Sequence, residues 1–289
     1  MNLRHRHFIS IFVFNFSLLF SGCLTAKSVD INISVSHAVY LTYQKWTQNT
    51  SCAQIDTFSG DFVPRSAIEL VIFCKALQAS GLEYKLNIIE SGNYSRNLWL
   101  LINQGFHSVG ETVWRKEAEN IAVYISEPIF AKNEFEKALF TTRNHQLLSI
   151  PPTLLAKQLK HFVGITPQHW IYDWQALEKI TPIRVDAPNQ ISIHRMLLAK
   201  RADFCFGEFS HSMNFQFEDM SLVNLPGVKI VFPDSRHFII TKQAPNAKQI
   251  FEALNKGIVI LKKQNVIDKI WVNTGVINPL AKKWLTLNQ

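Results

Sequence analysis

The chain has 289 residues, 47% of them apolar and 12% aromatic, with a formal net charge of +8. That is enough apolar material for one large core or two smaller ones, and too much for a disordered chain. Lysines and arginines are scattered rather than run together, which excludes the basic stripe of a nucleic-acid-binding protein.

The first residues read as an address. "MNLRHRH" is basic, "FISIFVFNFSLLF" is apolar but too short for a membrane span, and "SGCLTAKS" supplies small residues. A signal peptide over 1–26, cleaved after Ala26, is expected, which makes the protein periplasmic and soluble. "LFSGC" also approximates a lipobox, so a lipid anchor on Cys23 is the rival. Past Ala26 three cysteines remain, Cys52, Cys74 and Cys205, an odd number for an oxidising compartment. Cys74 in "ELVIFCKAL" and Cys205 in "ADFCFGEF" read as small buried hydrophobes, with a Cys52–Cys74 bridge left open.

In chain order, "INISVS" (31–36) is a strand, followed by a polar stretch of no clear period. "SAIELVIFCKALQASG" is a helix, with Ser66 and Glu69 spaced as a capping box and Gly81 as terminator. "LEYKLNII" alternates as a strand, "SRNLWLLINQG" is a helix ending at Gly105, and "HSVGETV" is a short strand. Beyond Arg143, "FVGI" is a strand and "QHWIYDWQALEK" a helix with Thr166 as cap and Pro167 at its first position. "TPIRVDA" is a strand, "QISIHRMLLAKR" a helix after Asn189, and "ADFCFGEF" a strand. "RHFIITK" and two helices over 248–272 resume the character of the first unit. Alternating strands and helices argue for largely parallel sheets covered by helices.

This order of segments resembles the family 3 periplasmic solute-binding proteins, over about Ile31–Leu287. "LLINQGFHSVGETVW" is similar to the family's helix, glycine and cleft-lining strand. "YISEPIF" is similar to its Phe-Ser-x-Pro strand, and "LLAKRADFCFGEF" to the helix-to-strand unit of its second lobe. The resemblance implies an α/β fold of type II, with two hinged lobes, each around a mostly parallel central sheet. Lobe 1 would comprise 27–142 and 236–289, lobe 2 would comprise 143–235, and the crossings would lie near Ala138–Asn144 and Arg236–Lys242.

The resemblance also singles out residues. Amino-acid-binding members hold the ligand carboxylate with an arginine seven residues before the serine of the strand motif; counting back from Ser126 gives Glu119, with Arg115 four residues earlier. Glu208 falls where the family has an acid for the ligand's amino group. It is also the lone acid of an apolar strand, costly if buried unpaired. Thr166 opens a helix whose free N–H groups suit an anion. Tyr40, Glu111 and Trp114 sit at or just beyond strand ends, where α/β clefts place ligand contacts. Trp170 and Trp174, four apart, share a helix face and read as core.

The expected activity is capture of a small polar solute in the interlobe cleft, with closure read by the membrane subunits of an ABC transporter or by a sensor receptor. A monomer with no cofactor, no metal and no catalysis is expected. With Glu119, Glu208 and Glu111 facing one cavity, amines or cationic peptides should bind better than dicarboxylates. The rival is an enzyme on the same scaffold, a dehydratase or hydrolase with a cleft glutamate as general acid.

Overall fold

The computed structural model describes residues 28–59, 63–217 and 220–289, with no account of the side chains of 216, 217 and 220. The leader, Cys23 and the cleavage site after Ala26 therefore lie outside the described residues.

The described residues form three sheets. In the first, β1 (Val29–Ser36) lies between β2 (Tyr84–Ser91) and β3 (Ser108–Val109), all parallel. Between these strands run α1 (His37–Trp46), α2 (Arg65–Ser80) and α3 (Tyr94–Asn103). Residues 37–46 carry little apolar periodicity, and α1 buries only Val39, which is why the sequence shows no helix there. α2 is apolar nearly all round and buried along most of its length, as such a helix must be. It ends on Gly81, whose φ of 82° is a conformation that disfavours side chains. It starts at Arg65 behind Pro64, so Ser66 and Glu69 form no capping box. Glu69 is turned inward instead.

The second sheet sets β12 (Arg236–Thr241) antiparallel between β4 (Val113–Trp114) and β5 (Val123–Phe130), with α4 (Arg115–Ala118) in the intervening chain. It continues the first through β3: Ser108 Oγ donates to the Ile239 carbonyl at 2.7 Å, and Thr241 N–H to that of His107 at 3.0 Å. α8 (Ala247–Lys263) and α9 (Val266–Thr274) cover this unit. α8 packs against α2 so closely that a Cβ on Gly257 would lie 1.7 Å from the Ala76 carbonyl oxygen.

The third sheet runs β10–β11–β6–β9–β7–β8, with β13 (Leu285–Thr286) beside β11. Its strands are β6 (Glu136–Thr142), β7 (Gly164–Ile165), β8 (Arg184–Val185), β9 (Phe204–Gly207), β10 (Asn214–Phe217) and β11 (Met220–Val231). Its helices are α5 (Pro152–Gln158), α6 (Ile171–Glu178) and α7 (Gln190–Leu198), the last capped by Asn189 accepting from Ser192 N–H. Parallel pairs are limited to β7–β8, β7–β9 and β11–β13; β6 runs antiparallel to both β9 and β11. The sheet is therefore mixed, because its middle holds β6, which has just arrived from the other unit, beside β11, which is about to return to it. Pro226 and Gly227 break β11 at a bulge between Asn224 and Lys229, with Gly227 at φ 84°, and that interruption hides the hairpin in the sequence.

Residues 136–142 and 285–286, grouped with the first unit on sequence, hydrogen-bond into this third sheet. The chain crosses between the units just before β6 and just before β12, and its tail returns to the third sheet at β13. The two crossings touch: Phe232 N–H donates to the Phe135 carbonyl at 3.0 Å, and Asn133 N–H to that of Phe232 at 3.1 Å.

Cys52 and Cys74 form a disulfide tying the segment after α1 to the middle of α2, so Cys74 is more than a small buried hydrophobe. Cys205 is a free, buried thiol that burial pushes up to about 12.

Candidate functional site: an ionic cluster between the lobes

Arg65 opens α2, with its side chain only 8% exposed. Nε donates to Glu208 Oε1 at 2.7 Å, the residue that follows β9 in the opposite sheet. Nη1 lies against Glu69 Oε1, and Nη2 is 3.8 Å from Glu111 Oε2. Glu69, fully buried, is held from its other side by Thr112, which donates its N–H at 2.9 Å and its hydroxyl at 2.6 Å. That hydroxyl in turn accepts from Arg236 Nε at 2.8 Å, and Arg236 Nη2 donates to the Thr112 carbonyl. On the far side, Lys137 Nζ donates to Asp173 Oδ1 at 2.6 Å, and both are buried. β6 places Lys137 beside Glu208, since Ala138 pairs with Gly207.

Buried charges persist only where they are paired. Three cations (Arg65, Arg236, Lys137) face four acids (Glu69, Glu111, Glu208, Asp173), and the mismatch falls on Glu111. Burial raises its pKa to about 7, against the pull of Arg65 and Arg236 and with the push of Glu69. Burial also opposes the charge of Glu208, but Arg65 and Lys137 outweigh it and hold this carboxyl below its usual range. Burial, then the neighbouring Arg65, lowers Arg236. Arg65 is itself held fully charged: burial works against it, and Glu69, Glu208 and Glu111 together prevail.

Aromatic rings wall the cluster where the crossings meet. Trp114 stacks on Tyr172 with centroids 4.3 Å apart and meets Phe135 at 5.6 Å and Phe232 at 5.3 Å. Arg236 lies over Trp114 at 4.5 Å, Arg65 over Phe135 at 5.3 Å, and Lys137 over Trp170 at 5.6 Å. Each cation thus has a ring face as well as a carboxylate or carbonyl.

Of the residues expected from sequence, Glu111, Trp114 and Glu208 come together here. Arg115 and Glu119 do not: they pair with each other at 2.8 Å, each about half exposed, one turn apart on α4 and its cap. Glu119 is thus taken out of the arginine slot, and the expected three-acid cavity becomes one with three cations. Tyr40 lies on α1, packed against the core of the first unit. Thr166 is buried but caps nothing, because α6 begins at Ile171 behind Trp170; its N–H donates to the Val185 carbonyl. The expected tryptophan stripe also splits: Trp170 packs on the core and on Lys137, whereas Trp174 meets Arg184 at 5.4 Å.

Arg65, Glu69, Lys137, Asp173 and Arg236 escape the sequence reading. The signal that identified Glu208, a lone charge beside an apolar run, is present at Arg65 before "SAIELVIF", at Lys137 in "FEKALF" and at Arg236 before "HFIIT". Applied to both signs, it finds three of the five.

No protein-family model and no curated protein sequence matches the chain. Solved structures do. The probable amino-acid ABC transporter extracellular-binding protein ytmK from Bacillus subtilis superposes with a TM-score of 0.56 at 15% identity, covering 86% of this chain and 100% of that one. The Bordetella pertussis BvgS periplasmic VFT2 domain gives 0.54 at 13%, covering 85% and 93%. The ancestral amino acid-binding protein AncCDT-1, a precursor of cyclohexadienyl dehydratase, gives 0.51 at 12%, covering 85% and 95%. The chain has the two-lobed periplasmic-binding-protein fold.

Proposed function

We propose that the protein is an exported, divergent family 3 solute-binding protein that captures a small zwitterionic solute between its lobes and presents the closed form to a transporter or a sensor. The observation that carries this is Arg65, which reaches from one lobe to Glu208 of the other and so occupies the place of a bridging ligand. A solute with one carboxylate and one ammonium can exchange that contact without changing the net charge: the carboxylate takes Arg65 and Arg236, and the ammonium takes Glu208. Amines alone would leave the arginines facing each other, which replaces the amine preference expected from sequence. Closure then follows from the ligand's differential affinity for the form in which both lobes touch it. The neighbours named above, an extracellular-binding protein and a periplasmic sensor domain, support this reading at the level of fold. Among the described residues no helix is long and apolar enough to cross a membrane.

Calorimetry with amino acids, simple amines and dicarboxylates tests it. Amino acids should bind, Glu208→Gln should weaken them at least about tenfold, and amines should not compete. Preferential binding of amines or dicarboxylates would overturn the zwitterion assignment.

A second reading rests on Glu111 and Glu208, two carboxyls near one guanidinium whose surroundings push their pKa values apart. Such a pair suits an acid and a base. It predicts loss of a bound hydroxy acid on incubation, abolished by Glu111→Gln; binding without turnover rejects it.

A further inference from the structure

A cavity of about 210 Å³ lies where the two crossings meet α4 and α6, apart from the Arg65 cluster. Lys116 comes from α4, Lys132 from the first crossing, Phe232 and Asp234 from the second, Tyr172 from α6 and Lys179 from its C-terminal cap. Asp234 is already satisfied: it accepts from the Tyr172 hydroxyl, from Lys116 N–H at 3.2 Å and from Ser235 N–H at 2.9 Å. The lysines are not. None of the three forms an ion pair within 4.0 Å among the described residues; Lys116 acts on Asp234 only from farther away, and Lys179 reaches only the Asn288 carbonyl, at 3.2 Å.

We propose that this cavity binds a small organic or inorganic polyanion bearing carboxylates or phosphates. Three lysines line one pocket against one lining carboxylate, Asp234, with Glu117 close enough to act on Asp234 and Tyr172. The excess of positive charge that remains is what a multiply charged anion removes. The volume holds about seven waters at about 30 Å³ each and falls below the roughly 300 Å³ of a drug-sized site. That fits an ion of the size of citrate or pyrophosphate and excludes a nucleotide. Phe232, Pro233 and Ala176 add an apolar wall. An anion held here touches α4, both crossings and α6 at once, so it stabilises the arrangement in which these segments are together. Tyr172 links the two places, lining this cavity while stacked on Trp114 of the cluster. The inference does not depend on what binds at Arg65.

Calorimetry of the purified protein with citrate and with pyrophosphate, at low ionic strength, tests it. Saturable binding at a single site is expected for at least one of them: citrate alone marks a carboxylate site, pyrophosphate alone a phosphate site. The exposed double variant Lys132→Ala/Lys179→Ala should weaken binding at least about tenfold. Lys85→Ala/Lys160→Ala, which removes two exposed lysines elsewhere, should leave it unchanged. Failure of both anions to bind, or equal loss in both double variants, overturns the proposal, the latter because it would mark diffuse attraction to a basic surface.

Discussion

Arg65 and Glu208 are 143 residues apart and meet at 2.7 Å, joining the first helix of the core in one lobe to the end of a strand in the other. The two partners are not equally dispensable. Arg65 also neutralises the fully buried Glu69, whereas Glu208 keeps 31% of its side chain exposed. Removing one member of a buried pair strands the other, at about 3–5 kcal/mol, unless the survivor keeps a second counter-charge, as Arg65 keeps Glu69 when Glu208 is neutralised. Arg65→Met should therefore lower the unfolding free energy by about 3–5 kcal/mol in urea. Glu208→Gln should cost about 1 kcal/mol or less and instead loosen the lobes, seen as a larger radius of gyration in X-ray scattering with an unchanged circular dichroism spectrum. Equal losses of stability would show that the bridge is not the asymmetric latch its burial implies.

Glu111 makes a distinct pH signature. Its pKa rises from 4.5 to about 7 on folding. Between those values the folded chain keeps a proton that the unfolded chain has lost, so this group's contribution to stability falls as pH rises and is fully lost above about 7. A shift of this size is worth about 3 kcal/mol. Buried His107, His194 and His237 act oppositely, since burial lowers each from 6.5, His194 to about 4. The raw curve mixes the two, so the measurement is the difference between wild type and Glu111→Gln. The variant should gain relative stability progressively from about pH 4.5 to pH 7 and hold it above; a difference flat with pH would place Glu111 in water.

Where elements carry their own boundary signals, sequence and structure agree. Asn189 caps α7, Gly81 ends α2, and the alternation of 84–88 becomes β2. The failures have physical causes. α1 buries too little to leave a pattern, and Thr166 sits before a turn that only tertiary packing could reveal. The cluster itself was hidden because its charges, at 65, 69, 137, 173 and 236, come from separate segments that the crossings alone bring together. The register count from Ser126 misled for the opposite reason, since it assumed an unaltered loop where a short helix lets Arg115 and Glu119 satisfy each other.

Cys52–Cys74 closes a loop with a sequence separation of 22, worth about 3 kcal/mol on the chain-entropy account. The segment it anchors is small and its own apolar cluster modest: Ile55 and Val71 pack around the two sulfurs. Reduction should lower the melting temperature, and mass spectrometry after alkylation should find Cys52, at 7% exposure, labelled first in the folded, reduced protein, with Cys74 and Cys205 joining only on unfolding. Labelling of Cys205 in the native state would contradict its burial at 1% exposure.

Lys137 and Asp173 offer the sharpest separation of stability from specificity. Their contact at 2.6 Å is enclosed, with 11% and 8% of the side chains exposed, and Lys137 also lies near the rings of Phe135, Trp170 and Phe232. Lys137→Met leaves a buried carboxylate without its cation, and Asp173→Leu leaves a buried ammonium among aromatic rings; each should cost about 3–5 kcal/mol. The double variant removes both charges from a pocket already lined by apolar surface, and a well-packed replacement of a buried pair is often neutral or stabilising. Denaturant titrations should therefore give a double-mutant stability near wild type and well above either single variant. The same double variant removes Lys137's support of the charged Glu208, so the Glu208 carboxyl should titrate at higher pH, a shift readable by carbon-13 NMR. Recovery of stability with no such shift would mean that Lys137 serves the core alone and plays no part in setting the charge of the cleft.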